Sequence, residues 1–267
     1  MGKVHLLTKN NIRIYISDMT DIANVAVKKH KALPLGALIL ATSIAIFGPL
    51  TTMKRNTKTS AILNGDGSTG TVIVESTEQG YVRASIANPR VATEYDKTNP
   101  NLLPLGVGIG PVGTLKILQT VDKLTFGGEV KLAKGDVVTD MAYYFEASEQ
   151  TKSAVLSSIL LGDNSHVKRA YGVIMQMLPG YTEEDVLWVE KFTKNQKLKD
   201  HSIESFIKAI DGIELEEKHL EWKCSCSKEK FQELLGTIPK AEQEEIIKEH
   251  GFIEIKCNFC NEKEVFK

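Results

Sequence analysis

The sequence predicts an α+β fold in three parts: a β-rich core domain with packed helices over residues 1–178, a helical linker over 179–221, and a small C-terminal domain over 222–267. Three observations predict it. Short β-rich runs separated by glycine and asparagine turns recur from Thr59 to Leu178. Helix-start signals cluster after Pro179, and all four cysteines lie beyond position 223, as C-x-C and C-x-x-C. A chain of 267 residues with 42% hydrophobic and 25% charged residues has enough material for one large core or two domains, and reads as soluble and globular. A net charge of −1 leaves no overall footprint for a polyanion, so nucleic acid is not favoured as the main partner, although a local basic patch can hide in such an average.

The first residues, MGKVHLLTKNNIRIYISD, contain no continuous apolar stretch of the signal-peptide kind, and Leu6 stands where a myristoylation motif needs Ser or Thr. A cytoplasmic, reducing location is expected. Thr20 to Lys31 predicts a helix, with Ile22, Val25 and Ala26 at helical spacing and cations in the last turn. Ala32 to Thr52 carries no charge and is long enough to span a bilayer. Pro34, Gly36, Gly48 and Pro49 nevertheless interrupt its ends, Thr42 and Ser43 sit in its middle, and cations flank both sides, so a helix buried on all sides in a protein core is expected instead. From TSAILN onward, TVIVES, YVRASIANP, TLKILQT, EVKLAKG, MAYYFEAS and YGVIMQML read as β-rich, with a small helical stretch near Ser153 to Leu160. In the linker, Thr182 and Asp185 stand at capping-box spacing ahead of an acidic first turn. A second linker helix is predicted from a Ser202 cap to a Gly212 stop. Its Ile203, Phe206, Ile207 and Ile210 form a stripe that must be buried against something.

Two glycine patterns invite a nucleotide-binding reading, Gly65-x-Gly67-x-x-Gly70 and Gly108-x-Gly110-x-x-Gly113. A dinucleotide fingerprint needs a strand before it and a helix after it, because the helix N-terminus holds the pyrophosphate. The first pattern runs from strand to strand and reads as a hairpin turn, while the second contains Pro111 and leads into another β-rich run. The six histidines show no H-E-x-x-H, there is no G-x-S-x-G, and no carboxylate pair stands out, so no enzyme activity is expected. Most of the histidines are expected at the surface, His250 in the last turn of a helix before Gly251.

The cysteines carry the chemistry. Cys224 and Cys226 are separated from Cys257 and Cys260 by a segment with room for two short helices, one capped by Ser227, the other opened by Pro239 and stopped by Gly251. Paired cysteines in a reducing compartment read as a tetrahedral thiolate site for one Zn2+, two ligands from each pair. FIEIKCNFCNEKEVF reads as strand, knuckle turn and returning strand. A segment this small buries too little core to fold alone, so a metal staple is needed. From spacing alone the zinc reads as structural, in a module serving protein or nucleic-acid contacts in translation or transcription, while C-x-C, the unusual half, also allows a redox role. A small-molecule enzyme using the glycine-rich turns is the third reading.

CSCSKEKF, a thirty-residue spacer and CNFCNEKEVF resemble the zinc-binding end of the redox-regulated thirty-three-kilodalton heat-shock chaperone family. The resemblance covers the whole chain: LNGDGSTGTVIVESTEQGYVRASIANP is similar to that family's central hairpin, DMAYYFEASEQTKSAV to a further core segment, and YGVIMQMLPG to the end of its core domain. The chain departs from the family at the start of the apolar helix, in a short linker, and after Phe266, where a terminal helix is missing. The resemblance implies an ATP-independent holdase that binds unfolding proteins under oxidative and heat stress. It implies a zinc-loaded, inactive reduced state, activation when Cys224 pairs with Cys226 and Cys257 with Cys260, zinc release, loosening of the linker, and a homodimer when oxidised. In the reduced state the Ile203/Phe206/Ile207/Ile210 stripe would act as a latch over an apolar face of the core, exposed on activation.

Overall fold

Strands β1 (Gly2–Lys9) and β2 (Ile12–Asp18) form a hairpin turned at Asn10, whose φ of 50° suits asparagine better than most residues. Helices α1 (Thr20–His30) and α2 (Pro34–Phe47) follow, then the meander β3 (Lys58–Gly65), β4 (Val72–Ser76) and β5 (Tyr81–Ile86). The computed structural model describes residues 1–92 and 105–267. The chain continues with α3 (Leu105–Ile109), hairpin β6 (Gly113–Val121) and β7 (Leu124–Lys131), α4 (Val137–Ala147), and hairpin β8 (Ser153–Leu161) and β9 (Val167–Met177). The linker supplies α5 (Glu183–Asn195), α6 (Ile203–Ile210) and β10 (Ile213–Trp222). The C-terminal part has α7 (Lys228–Gly236), α8 (Lys240–His250) and the hairpin β11 (Ile253–Lys256) and β12 (Lys263–Phe266).

Ten strands form one sheet in the order β7-β6-β3-β4-β5-β10-β1-β2-β9-β8. Alternation along the strands splits the apolar residues between its two faces. On one face Val4, Tyr15 and Ile174 join α1, α2 and α4 in the main core, together with the inner residues of β3 to β6. On the other, Leu7, Ile12, Ile14, Ile16, Val173 and Met175 are covered by α5 and α6. Helix α2 is buried on nearly every side; the Pro34–Met53 segment has the length and hydropathy of a membrane span, yet 89% of its most apolar window lies inside the protein. The all-round apolar pattern thus belongs to a central core helix.

Several expectations are corrected. MAYYFEAS belongs to helix α4, because Asp136 caps its first turn and Val137, Met141, Tyr144 and Phe145 fall on one helical face. Ser153–Leu161 is a strand along β9 rather than a helix, a confusion that short apolar runs invite. The linker holds two helices, then a strand: β10 lies antiparallel to β1 and, through Glu221 and Trp222, parallel to β5, and so joins the two halves of the sheet. Helix α6 ends on Asp211, in the left-handed region at φ 52°, one residue before the expected glycine. His5 and His30 are buried, whereas His166, His219 and His250 are exposed.

The two glycine patterns meet each other. The Gly67 amide donates to the Ile109 carbonyl at 2.8 Å and that of Thr69 to Gly108 at 2.9 Å. A Cβ on Gly65 would lie 2.1 Å from the Ile109 carbonyl oxygen, and Gly110 combines a φ of +82° with Asp66 and Gly67 against it. These glycines allow two backbones to touch, which accounts for them without a nucleotide.

Candidate metal centre

Strand β10 delivers the first cysteine pair. Its last residues run beside β5, where the Lys223 amide donates to the Val82 carbonyl at 3.0 Å, and Cys224 follows directly. Ser227 then caps α7 by accepting from the Lys230 amide, Pro239 opens α8, and Gly251, at φ 79°, closes it, all at the positions the sequence marks. The hairpin β11–β12 carries the second pair. Between its strands the Asn261 amide donates to the Cys257 carbonyl at 2.9 Å and the Cys257 amide to the Glu262 carbonyl at 2.9 Å, with Asn261 left-handed at φ 60°. This tight knuckle turns both thiols to one side.

The four sulfurs lie within 4.8 Å of one another. The nearest contacts run between the pairs, Cys224 Sγ to Cys257 Sγ at 3.6 Å and Cys226 Sγ to Cys260 Sγ at 3.2 Å. Four thiolates about 2.3 Å from one zinc ion stand about 3.8 Å apart at the tetrahedron's edges, so small shifts convert this cluster into a closed four-thiolate site. Cys260 is buried and the other three are half-buried. Burial pushes the Cys224 thiol up, but hydrogen bonds from the Cys226 backbone and the neighbouring thiols outweigh it and bring the group down to about 7. Burial raises the thiols of Cys226 and Cys260. The donors are soft, anionic when deprotonated and held on separate segments, which suits zinc. Among the described residues one other close group of possible ligands exists, His5 with Glu214 and Glu217; there a bulge in the β1–β10 pairing accompanies the contact of His5 Nδ1 with Glu214 at 2.6 Å, and both carboxylates are exposed.

Sequence reasoning missed the seam that seats this cluster on the core. Arg83, on β5, reaches Ser225 Oγ with Nη1 at 2.9 Å, lies 4.0 Å from Cys224 Sγ, and stacks on the Phe259 ring at 4.1 Å, while its Nε holds Glu75 at 2.8 Å. From α1, Lys29 pairs with Glu262 at 2.7 Å, and its carbonyl accepts from the Asn261 side-chain amide at 2.7 Å. His30 bonds the Ala84 carbonyl at 3.0 Å and lies 3.3 Å from the Asn261 amide, and burial lowers its pKa. Arg83 and Cys224 are 141 positions apart, and no local pattern announces their contact.

The residues named as a latch lie elsewhere, over the sheet. Ile203, Phe206 and Ile210 are buried and Ile207 is half-buried. The Phe206 ring meets Phe192 of α5 edge-on at 5.4 Å, and Lys9 of β1 donates to the last carbonyls of α6, Ile210 at 2.8 Å and Asp211 at 2.9 Å. A cation there complements the helix dipole.

A family profile described as Hsp33 protein matches residues 4–267. The chain is 32% identical over 269 residues to a 33 kDa chaperonin of Streptococcus pyogenes, covering 95% of this chain and 91% of that one. It is 30% identical over 271 residues to a 33 kDa chaperonin of Bacillus pumilus, covering 96% and 91%. The crystal structure of the 33 kDa chaperonin (heat shock protein 33 homolog) of Thermotoga maritima superposes with a TM-score of 0.90 at 26% identity, over 99% of this chain and 94% of that one. With the fold matched from end to end and the profile spanning the sheet, the helices and the four clustered cysteines, the chain belongs to the Hsp33 family.

Proposed function

We propose that this member of a chaperone family is an ATP-independent cytoplasmic holdase rather than an enzyme, switched on by oxidation of its cysteine cluster. The observation that carries the proposal is the gathering of the chain's four cysteines, from two distant pairs, within 4.8 Å. In the reduced state Cys224, Cys226, Cys257 and Cys260 would hold one Zn2+, whose chemistry is to tie the end of β10 to the β11–β12 knuckle. The module needs that tie: from residue 223 onward only Phe231, Ile253 and Cys260 are buried apolar or sulfur-bearing residues.

Oxidation removes the ligands. Each disulfide forms by loss of two electrons and two protons from a pair of thiols to a peroxide-class oxidant, which leaves as water; two such steps consume all four. The pairing proposed, Cys224 with Cys226 and Cys257 with Cys260, follows the family resemblance, and short loops keep those partners close once the cluster opens. With the sulfurs now nearest across the pairs, Cys226 to Cys260 at 3.2 Å and Cys224 to Cys257 at 3.6 Å are the competing crosslinks, and peptide mapping of the oxidised protein separates them from the proposed pairing.

Loss of the module's fold then frees the lower end of β10, and with it the layer α5–α6. Two apolar surfaces become available together: the stripe Ile203/Phe206/Ile207/Ile210, and the sheet face of Ile12, Ile14, Ile16, Val173 and Met175 beneath it. Such a contiguous patch would bind unfolding clients and favour a homodimer. The testing experiment follows zinc content, free thiols and suppression of client aggregation together, before and after peroxide with warming. Coupled loss of zinc and thiols with gain of suppression supports the proposal. Suppression that is equal in the reduced, zinc-loaded protein removes the redox switch from it.

A further inference from the structure

A cleft of about 760 Å³ opens where the cysteine module meets the core. Five cations line it: Lys29 and Lys31 at the end of α1, Arg90 after β5, and Lys256 and Lys263 on the two strands of the module. Among the described residues no carboxylate lines it, in a chain whose net charge is −1. The C-terminal dipole of α1 accounts for Lys29 and Lys31, but not for three more cations brought in from other segments. Lys29 is paired with Glu262 at 2.7 Å and Lys263 with Glu254 at 2.8 Å. Among the described residues Lys31 and Lys256 have no ion-pair partner within reach.

Like charges that converge where two parts of a molecule pack oppose that packing unless a counter-charge joins them. The cleft falls in the size range of small-ligand sites, and arginine with lysines at several points suits a ligand bearing several phosphate oxygens. We propose that this cleft binds a multivalent phosphate anion, either a bare oligophosphate or the triphosphate of a nucleotide, bridging the core and the cysteine module. Because Lys256 and Lys263 belong to the module and Lys29, Lys31 and Arg90 to the core, the site is complete only while the two are packed together. The anion therefore favours the packed state, and by linkage undocking of the module weakens the anion. That consequence rests on the redox reading given above, whereas the binding itself does not.

The test is calorimetric titration of tripolyphosphate, at constant ionic strength, into the reduced, zinc-loaded full chain, with no oxidant or client present, so that its outcome is separate from the chaperone activity. Saturable one-to-one binding is expected. It should weaken about tenfold in the Lys31→Gln/Lys256→Gln double variant, and stay unchanged in Lys123→Gln/Lys131→Gln, whose lysines are exposed in the β6–β7 turn and at the end of β7. ATP in the second arm distinguishes the sources: ATP no tighter than tripolyphosphate assigns the site to the phosphate chain alone, and a much tighter ATP assigns it to a nucleotide. Absence of saturable binding by both ligands, or equal affinities in wild type and the Lys31/Lys256 variant, overturns the proposal.

Discussion

The linker layer and the cysteine module are attached to the same sheet by opposite means. Helices α5 and α6 rest on it through apolar contacts, with Phe206 and Ile210 completely buried, the Trp188 ring stacked on Phe192 and Phe192 edge-on to Phe206. No residue of α8 is buried, and the module meets the core through polar and cationic contacts at Arg83, Lys29 and His30. Apolar packing of this kind responds to temperature and hardly at all to oxidants, whereas a thiolate cluster responds to oxidants directly. On the proposed function, one part registers heat and the other oxidant, and β10 connects them.

The comparison breaks most visibly at the cysteines. A Cys→Ser change at any of the four is expected to abolish tight zinc binding, since structural zinc contributes on the order of 10–16 kcal/mol in small modules. Metal per chain should fall toward zero and amide protection over residues 223–267 should disappear, while the core strands stay protected. A variant that keeps full, tightly bound zinc removes that cysteine from the ligand set. Next in size is Phe206→Ala, which leaves a cavity between α5, α6 and the sheet and should cost about 3–5 kcal/mol. Protease sensitivity should then rise across α5 and α6 with zinc still bound, and unchanged sensitivity would show that the layer does not depend on that ring.

A smaller effect is expected at the seam. Arg83→Gln removes the stack on Phe259 and the contact with Ser225, worth about 1–2 kcal/mol. The module should keep its zinc but tumble more independently of the core, as nuclear relaxation would report; identical relaxation in the two proteins means the seam is held by other contacts. The smallest effect is on pH. His30 is buried and its pKa is lowered from the ordinary 6.5, so its neutral form contributes stability above that value. That contribution is lost as pH falls below about 6.5 and through the lowered pKa, because the unfolded chain takes up the proton first. Stability of the seam should therefore decline in mild acid, and His30→Gln should flatten that dependence.

What the sequence disclosed and what it withheld divide along the same line between local and distant. Caps are local chemistry, and Thr182, Ser202, Ser227 and Gly251 announce helix ends that the structure places at those residues. The knuckle is local as well, because two cysteines three apart between β-prone runs leave few alternatives. The cap at Asp136 was equally available, but MAYYFEAS is rich in aromatic residues, and β propensity masked the helical spacing of Val137, Met141, Tyr144 and Phe145. Strand β10 could not be read at all. IELEEKHLEW is largely exposed and acidic, and becomes a strand only because β1 and β5 lie on either side of it. The seam through Arg83 is a contact between distant segments, and so is the mutual packing of the two glycine patterns.

On the proposed mechanism, release of the linker layer, and not oxidation as such, exposes the client-binding surface. Phe206→Asp tests this most directly, because a carboxylate at this fully buried position cannot be accommodated and must drive α6 off the sheet while leaving the four cysteines untouched. Prepared reduced and zinc-loaded, this variant is expected to be protease-sensitive across α5 and α6 and to suppress client aggregation without any oxidant. If it is open to protease and yet inert toward clients until peroxide is added, linker release is not the activating step, and activity must arise in the cysteine module itself.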